Sequence, residues 1–251
     1  MSKWEFWVIG SLVIAVVLFV SHRLFAAAQS VGAAQPGNQP DNVDLRPAFQ
    51  KMELGPRIQG DRNTCSVFTV AGAIEYALAK KQGKPTRLSV EYLNWAANDH
   101  LTQKTDGGYF SDIWKGFIDH SACPEQDMPY QDKYNPELAP DKKLRTLAAQ
   151  AHAADLRLHW IKEWNPNTGL TDTHLAQIKQ VLGRQWPVCG GFRWPKKPVW
   201  TDDVLNTPPA DGVIDGHSVL LVGYRDDPQQ PGGGMFVFRN SNNGGREGWL
   251  T

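Results

Sequence analysis

The chain has 251 residues, and its 26 basic side chains balance 26 acidic ones, so the formal charge is zero. No net field draws it to nucleic acid or to anionic lipid, which excludes a charge-driven binding protein. With 41% hydrophobic and 21% charged residues it can bury a substantial core, and its three cysteines exclude a disulfide-dense scaffold while leaving at least one thiol free in a monomer.

In chain order, the stretch from Phe6 to Val20 is apolar except for Gly10 and Ser11 and follows Lys3, the pattern of an export signal or membrane anchor. Ala26, Ala27 and Ala28 offer a cleavage site, whereas Leu24 to Ala28 could instead extend the span into an uncleaved anchor. Residues 1–28 therefore read as a leader that places the remainder outside the cytoplasm, secreted or membrane-anchored. Residues 29–42 are small, polar and proline-bearing, a linker with nothing to bury. The folded domain is expected over 43–251, roughly 210 residues, one large domain with room for two lobes.

Val67, Val70, Ala71, Ile74 and Leu78 recur at three- and four-residue spacing and predict a buried helix across 63–81, with Asn63 or Thr64 as its cap and Gly83 and Pro85 as its stop. A second helix opens at Ser89 with Val90, Leu93 and Ala97, and a third runs from Ser111 through Ile113, Trp114, Phe117 and Ile118. Segments 141–154 and 172–182 are further helices. Strand patterns occupy 156–164, 187–194, 218–225 and 235–239, with the glycines at 232–234 as a hairpin loop. A helical half followed by a strand-rich half predicts an α+β domain of two lobes with a cleft between them.

Cys65 falls where the long helix begins, a position at which free backbone N–H groups and the helix dipole favour the thiolate. Gln59, six residues earlier, can curl back beside the sulfur and, with the Cys65 N–H, form an oxyanion hole. His217 lies just before the apolar strand in GHSVLLVGY, and Asn240 ends the next strand in FRNS. Antiparallel pairing of those strands brings the Asn240 side-chain oxygen to one ring nitrogen of His217 and aims the other at Cys65. The other histidines, His100, His120, His152, His159 and His174, show no metal-ligand spacing, and no metal or other cofactor is expected. Cys123 and Cys189 read as structural. Of the ten tryptophans, Trp95, Trp114 and Trp160 read as core, whereas Trp194 and Trp200 flank a basic, proline-containing turn where they could line the cleft.

Taken together, VDLR, the Gln59 and Cys65 spacing, the helix SVFTVAGAIEYAL, GHSVLLVGY and FRNS resemble the papain-like cysteine peptidases, from about Val43 to Trp249. The resemblance implies a papain-like two-lobed fold, with a helical N-terminal lobe, an antiparallel β-barrel-like C-terminal lobe and the active site between them. It implies Cys65 as nucleophile, His217 as acid–base partner, Asn240 as orienter and Gln59 as oxyanion donor. Gly107, Gly108 and Gly216 are then substrate-binding positions, the first two matching the family's glycine pair on the cleft wall. Peptides or proteins are the implied partners, and nucleic acid is not.

The sequence departs from that family in five places. Ser66 and Asn242 stand where the family has tryptophans, so the His217–Asn240 bond is expected to be wetter and looser. Arg62 replaces a disulfide cysteine shortly before the nucleophile, leaving that staple out. GREGWLT ends where the family's sheet continues, which predicts an open edge, and the linker has no room for an inhibitory prosegment. These departures keep open a catalytically weak or inactive domain that binds extended peptides or a partner protein. An amide hydrolase or transferase acting on cell-wall peptides is a third reading.

Overall fold

The computed structural model describes the backbone of residues 4–9 and residues 39–150, 156–165, 167–242 and 244–251. Its elements in chain order are β1 (Trp4–Ile9), β2 (Asn42–Asp44), α1 (Arg46–Lys51), α2 (Cys65–Gln82), α3 (Val90–Asn98), α4 (Phe110–His120), α5 (Lys142–Gln150), β3 (Leu156–Lys162), α6 (Asp172–Gly183), β4 (Val188–Pro195), β5 (Trp200–Thr201), β6 (Val204–Leu205), β7 (Val213–Asp226), β8 (Gly234–Arg239) and β9 (Glu247–Leu250). Four helices, α2 to α5, precede the strand-rich half, the order that the hydrophobic patterns predict.

α2 is the axis of the molecule. It packs against α3 and α4 on one side and against β4 and β7 on the other, so a single hydrophobic cluster runs from the helices into the sheet. A helix enclosed in this way is apolar nearly all round, and Val67, Val70, Ala71, Ile74 and Tyr76 are all buried. It ends on Gly83 in the left-handed conformation. α3 begins at Ser89, whose hydroxyl accepts from the Tyr92 N–H at 2.9 Å, the expected cap. Thr64 holds the corresponding position on α2 but makes no cap bond; its hydroxyl meets the Tyr130 hydroxyl at 2.6 Å instead.

The sheet runs β3-β1-β4-β7-β8-β9-β6-β5, with β2 added to β7. β4, β7, β8 and β9 pair antiparallel, whereas β1 is parallel to both of its neighbours and β6 to β9. The strand formed by the GREGWLT segment, β9, covers β8 and is itself covered by β6. Asn42, the last residue of the linker reading, pairs with Arg225 as part of β2.

The structure adds one strand that the sequence reading did not foresee and alters one expectation. Trp4–Ile9, where the leader reading begins, is a strand between β3 and β4; a short apolar run carries no periodicity that separates strand from helix. The rest of that apolar stretch, and residues 29–38 of the linker, lie outside the described residues. Trp160 is not core but 37% exposed. Val8 pairs with Trp160 and Ile9 with Lys162, so the register shift turns Ile161 inward and leaves Trp160 outside.

Because Ile74 is fully buried where α2 meets the rest of the core, Ile74→Ala should lower unfolding stability by about 2–5 kcal/mol, read from the urea midpoint.

Candidate active site

Cys65 is the first residue of α2, and its thiol lies against the backbone N–H and hydroxyl of Ser218 near the start of the sheet's longest strand. Contrary to the helix-terminus argument, the thiol is pushed up. Burial outweighs the N–H groups of Ser218, Ser66 and Cys65 and the Ser218 hydroxyl, all of which favour the thiolate.

Ser218 directly follows His217 on β7, the strand that packs most extensively on α2. Gly216, just before them, has φ of +83°, which a side-chain-bearing residue rarely adopts. The ring of His217 is buried, and its Nε2 lies 2.9 Å from Asn240 Oδ1. The same oxygen accepts the backbone N–H of Asn242 at 3.0 Å. A backbone N–H can only donate, so that atom of Asn240 is the oxygen, and His217 must carry its proton on Nε2. The neutral imidazole then keeps its lone pair on Nδ1. Burial holds the His217 pKa below its ordinary value, with the Asn240 bond acting in the opposite direction.

The expected wetting does not occur. Asn240 is fully buried, and Trp194 of β4 packs over the imidazole with ring centroids 4.5 Å apart. Trp194 also meets Phe238 edge-on. The sequence places Trp194 where it could line the cleft, and the pairing of β4 with β7 puts it on the histidine. Trp200 does not reach the histidine in the same way but stacks on Phe238.

Gln59 is buried, and both ends of its amide are fixed. Nε2 donates to the Arg62 carbonyl at 2.6 Å, and Oε1 accepts from the Ser241 hydroxyl at 2.7 Å. Its backbone N–H bonds the Ser241 carbonyl at 2.8 Å, so the loop before the nucleophile is tied to the segment after Asn240. Neither Ser218 nor Ser241 was singled out in the sequence; both adjoin a residue that was, and only the strand pairing reveals what they touch.

Gly107 and Gly108 form the wall beside the nucleophile loop. A Cβ on Gly107 would lie 2.1 Å from the Asn63 carbonyl oxygen, and the Gly108 N–H donates to Ser66 Oγ at 3.3 Å. Ser66, in place of a bulky aromatic, thus fastens the wall to α2. Arg62 takes over what a disulfide would do there. Its side chain, 3% exposed, pairs with Glu91 at 2.6 Å and Asp106 at 2.8 Å and donates to the Gln131 carbonyl at 2.8 Å. Burial works against its charge, but the bonds to Asp106 and Glu91 prevail and raise its pKa. Asp106 also accepts from the Asn63 N–H, and Asn94 Oδ1 from the Gly107 N–H at 2.9 Å. The loop before Cys65, the segment of Gly107 and Gly108, and α3 are one hydrogen-bonded unit. All three cysteines are free.

Cys65 opens α2, and the sheet that packs on α2 carries the hydrogen-bonded pair of His217 and Asn240. The chain matches the papain family cysteine proteases over residues 39–251 and belongs to that family. It is 25% identical over 215 residues to a cathepsin L-like protein of Caenorhabditis elegans, covering 80% of this chain but only 55% of that relative. The fold is shared with xylellain, a cysteine protease from Xylella fastidiosa, at a TM-score of 0.63 and 23% identity, over 85% of this chain and 79% of that one. Digestive procathepsin L 3 of the Tenebrio molitor larval midgut has a TM-score of 0.58 and 17% identity, covering 87% and 66%.

Removing Arg62 leaves Glu91 buried without its partner, so Arg62→Ala should cost about 3–5 kcal/mol in chemical denaturation. Trp194→Ala should uncover His217 and move its pKa back up toward the ordinary 6.5, observable by NMR titration of the ring protons.

Proposed function

We propose that the chain hydrolyses peptide bonds through an acyl-enzyme, with Cys65 as nucleophile, His217 as acid–base partner, Asn240 as the residue that orients the imidazole and Gln59 as an oxyanion donor. The observation that carries this reading is the buried 2.9 Å bond from His217 Nε2 to Asn240 Oδ1. It leaves Nδ1 as the base on the strand that also brings Ser218 to the thiol.

The thiol proton passes to Nδ1 as the sulfur bonds the peptide carbonyl carbon. The carbonyl oxygen becomes an oxyanion, stabilised by the Cys65 N–H and by the second Nε2 hydrogen of Gln59, the first being held by the Arg62 carbonyl. Collapse breaks the C–N bond, and the imidazolium gives its proton to the departing amine. Water then adds to the thioester, its proton goes to Nδ1, and the thiol is released with the acid. An extended substrate lies along Gly107 and Gly108, with Gly216 on the facing lobe. The apolar segment up to Val20 is proposed to act as an export signal or anchor, placing this activity outside the cytoplasm on peptides or proteins. Using Phe6–Ile9 as a leader and pairing them as β1 are alternative fates of the same residues.

Because burial keeps the thiol protonated and the imidazole neutral, attack depends on neutral His217. Its pKa is lowered, so activity should persist below pH 6.5 and fall only as pH drops through the depressed value. Labelling with a peptidyl epoxide or vinyl sulfone across pH 4–9, followed by mass mapping, should mark Cys65 selectively and fail in His217→Ala. Cys65→Ala should abolish turnover with the fold intact, and Gln59→Ala should reduce kcat by about 10²–10³. Undiminished hydrolysis by Cys65→Ala would overturn the assignment. The raised thiol favours one second reading, a catalytically weak family member that binds peptides in the same cleft; saturable peptide binding with a Cys65 no more reactive than a free thiol would support it.

A further inference from the structure

The loop from Gln59 to Thr64 carries the proposed oxyanion donor at one end and adjoins Cys65 at the other. A single side chain from a distant segment holds both ends. The Tyr130 hydroxyl lies 2.9 Å from the Gln59 carbonyl oxygen and 2.6 Å from Thr64 Oγ1. The direction of each bond follows from the atoms involved. A carbonyl oxygen can only accept, so the one phenolic proton is committed to Gln59, and Thr64 must donate its own proton to the phenolic oxygen. Two bonds in series, Thr64 to Tyr130 and Tyr130 to Gln59, therefore span the loop, and each polarises the other.

Tyr130 is itself held firmly. Its N–H donates to Glu125 Oε1 at 2.9 Å, and its ring meets Phe68 of α2 edge-on with centroids 5.0 Å apart. The Arg62 guanidinium lies 4.5 Å over the same ring. A threonine just before a helix ordinarily accepts from an N–H of the first turn. Thr64 makes no such bond, and its hydroxyl is turned to Tyr130 instead. A cap would tie Thr64 to its own helix alone, whereas this bond ties it to the atom that also holds Gln59.

The other bonds of Gln59 do not duplicate that tie. Its Nε2 is held within the loop by the Arg62 carbonyl, and its Oε1 and backbone N–H both go to Ser241, in the strand-rich half. Tyr130 supplies the link to the helical half, where Cys65 lies. We infer that Tyr130 is a positioning residue for peptide hydrolysis: its hydroxyl registers Gln59 against the start of α2, so that the amide and the Cys65 N–H converge on one oxyanion. Without it, Gln59 would follow Ser241 and not the helix that carries the nucleophile. The placement stands on the hydrogen bonds alone; its effect on turnover rests on the peptidase reading.

The test uses the full chain and Tyr130→Phe, which removes one oxygen and keeps the ring between Phe68 and Arg62. With a peptide substrate, kcat should fall about tenfold while KM stays within about twofold. In the Gln59→Ala background the same substitution should cost less than about twofold, because no amide remains to be positioned. Exchange of the Gln59 side-chain amide hydrogens, followed by ¹⁵N NMR, should quicken in Tyr130→Phe whether or not the chain hydrolyses peptides. An undiminished kcat in an active chain, an equal loss in both backgrounds, or unchanged exchange at Gln59 would overturn the inference and leave Tyr130 a support of the fold. If Tyr130→Phe does not fold, Thr64→Val removes the other bond of the series and should shift kcat and exchange in the same direction by less; no shift in either overturns the inference equally. A chain without hydrolysis in which Tyr130→Phe still loosens Gln59 would count against the peptidase reading alone.

Discussion

Burying the N-terminal end of α2 is the constraint on which the rest of this structure depends. A helix enclosed on both sides must have the buried polar groups before its first turn, those of Gln59, Arg62 and Thr64, satisfied by other parts of the chain. Each is supplied from a distance in sequence. Thr64 meets Tyr130, Arg62 meets Glu91 and Asp106, and Gln59 meets Ser241. Further along the helix, Glu75 is neutralised by Arg57 and Arg87. These bonds draw the nucleophile loop, the glycine wall and the end of β8 into one place, so the same satisfaction of buried polar groups that lets α2 pack also assembles the cleft.

That burial has an electrostatic consequence at the site. Dry surroundings favour the neutral forms of both Cys65 and His217, whereas the local N–H groups at the thiol and the Asn240 bond at the imidazole favour the charged ones. Desolvation has the larger effect at each residue. Trp194 contributes to it directly by covering the imidazole from β4, whereas the tryptophan implied by the family resemblance would follow Asn240 in the loop after β8. The loss at position 242 is thereby compensated in two ways, by a ring from β4 and by the backbone N–H of Asn242 itself, which fixes the identity of the Asn240 oxygen.

The helices and the order of the lobes were legible in the sequence because α2 and its neighbours carry long, periodic apolar patterns, and the association of His217 with Asn240 was legible because a short hairpin joins their strands. Partners from distant segments were not. Nothing local to Ser218 announces that it meets a thiol on α2, and Arg62 reads as the absence of a cysteine until Glu91 and Asp106 are seen beside it. Trp160 was misread because a one-residue register shift reverses which side of a strand faces inward. That Trp4–Ile9 pairs as a strand was not legible, since aromatic and β-branched residues in a short run suit a strand as well as a membrane segment.

The exchange of a disulfide for ions alters what the cleft depends on. A covalent staple restrains the unfolded chain and is indifferent to its surroundings once formed, but it requires an oxidising compartment. The Arg62 cluster requires that its carboxylates stay ionised and that its pocket stay closed, because a buried charge that loses its partner is far more costly than an exposed one. With all three cysteines free, and with Cys123 and Cys189 buried with raised thiol pKa values, the redox state of the medium reaches this cleft only through Cys65. Reducing conditions therefore leave the wall at Gly107 and Gly108 intact while keeping the proposed nucleophile in its thiol form, and the geometry around Cys65 is set by charge pairing and hydrogen bonds, not by oxidation.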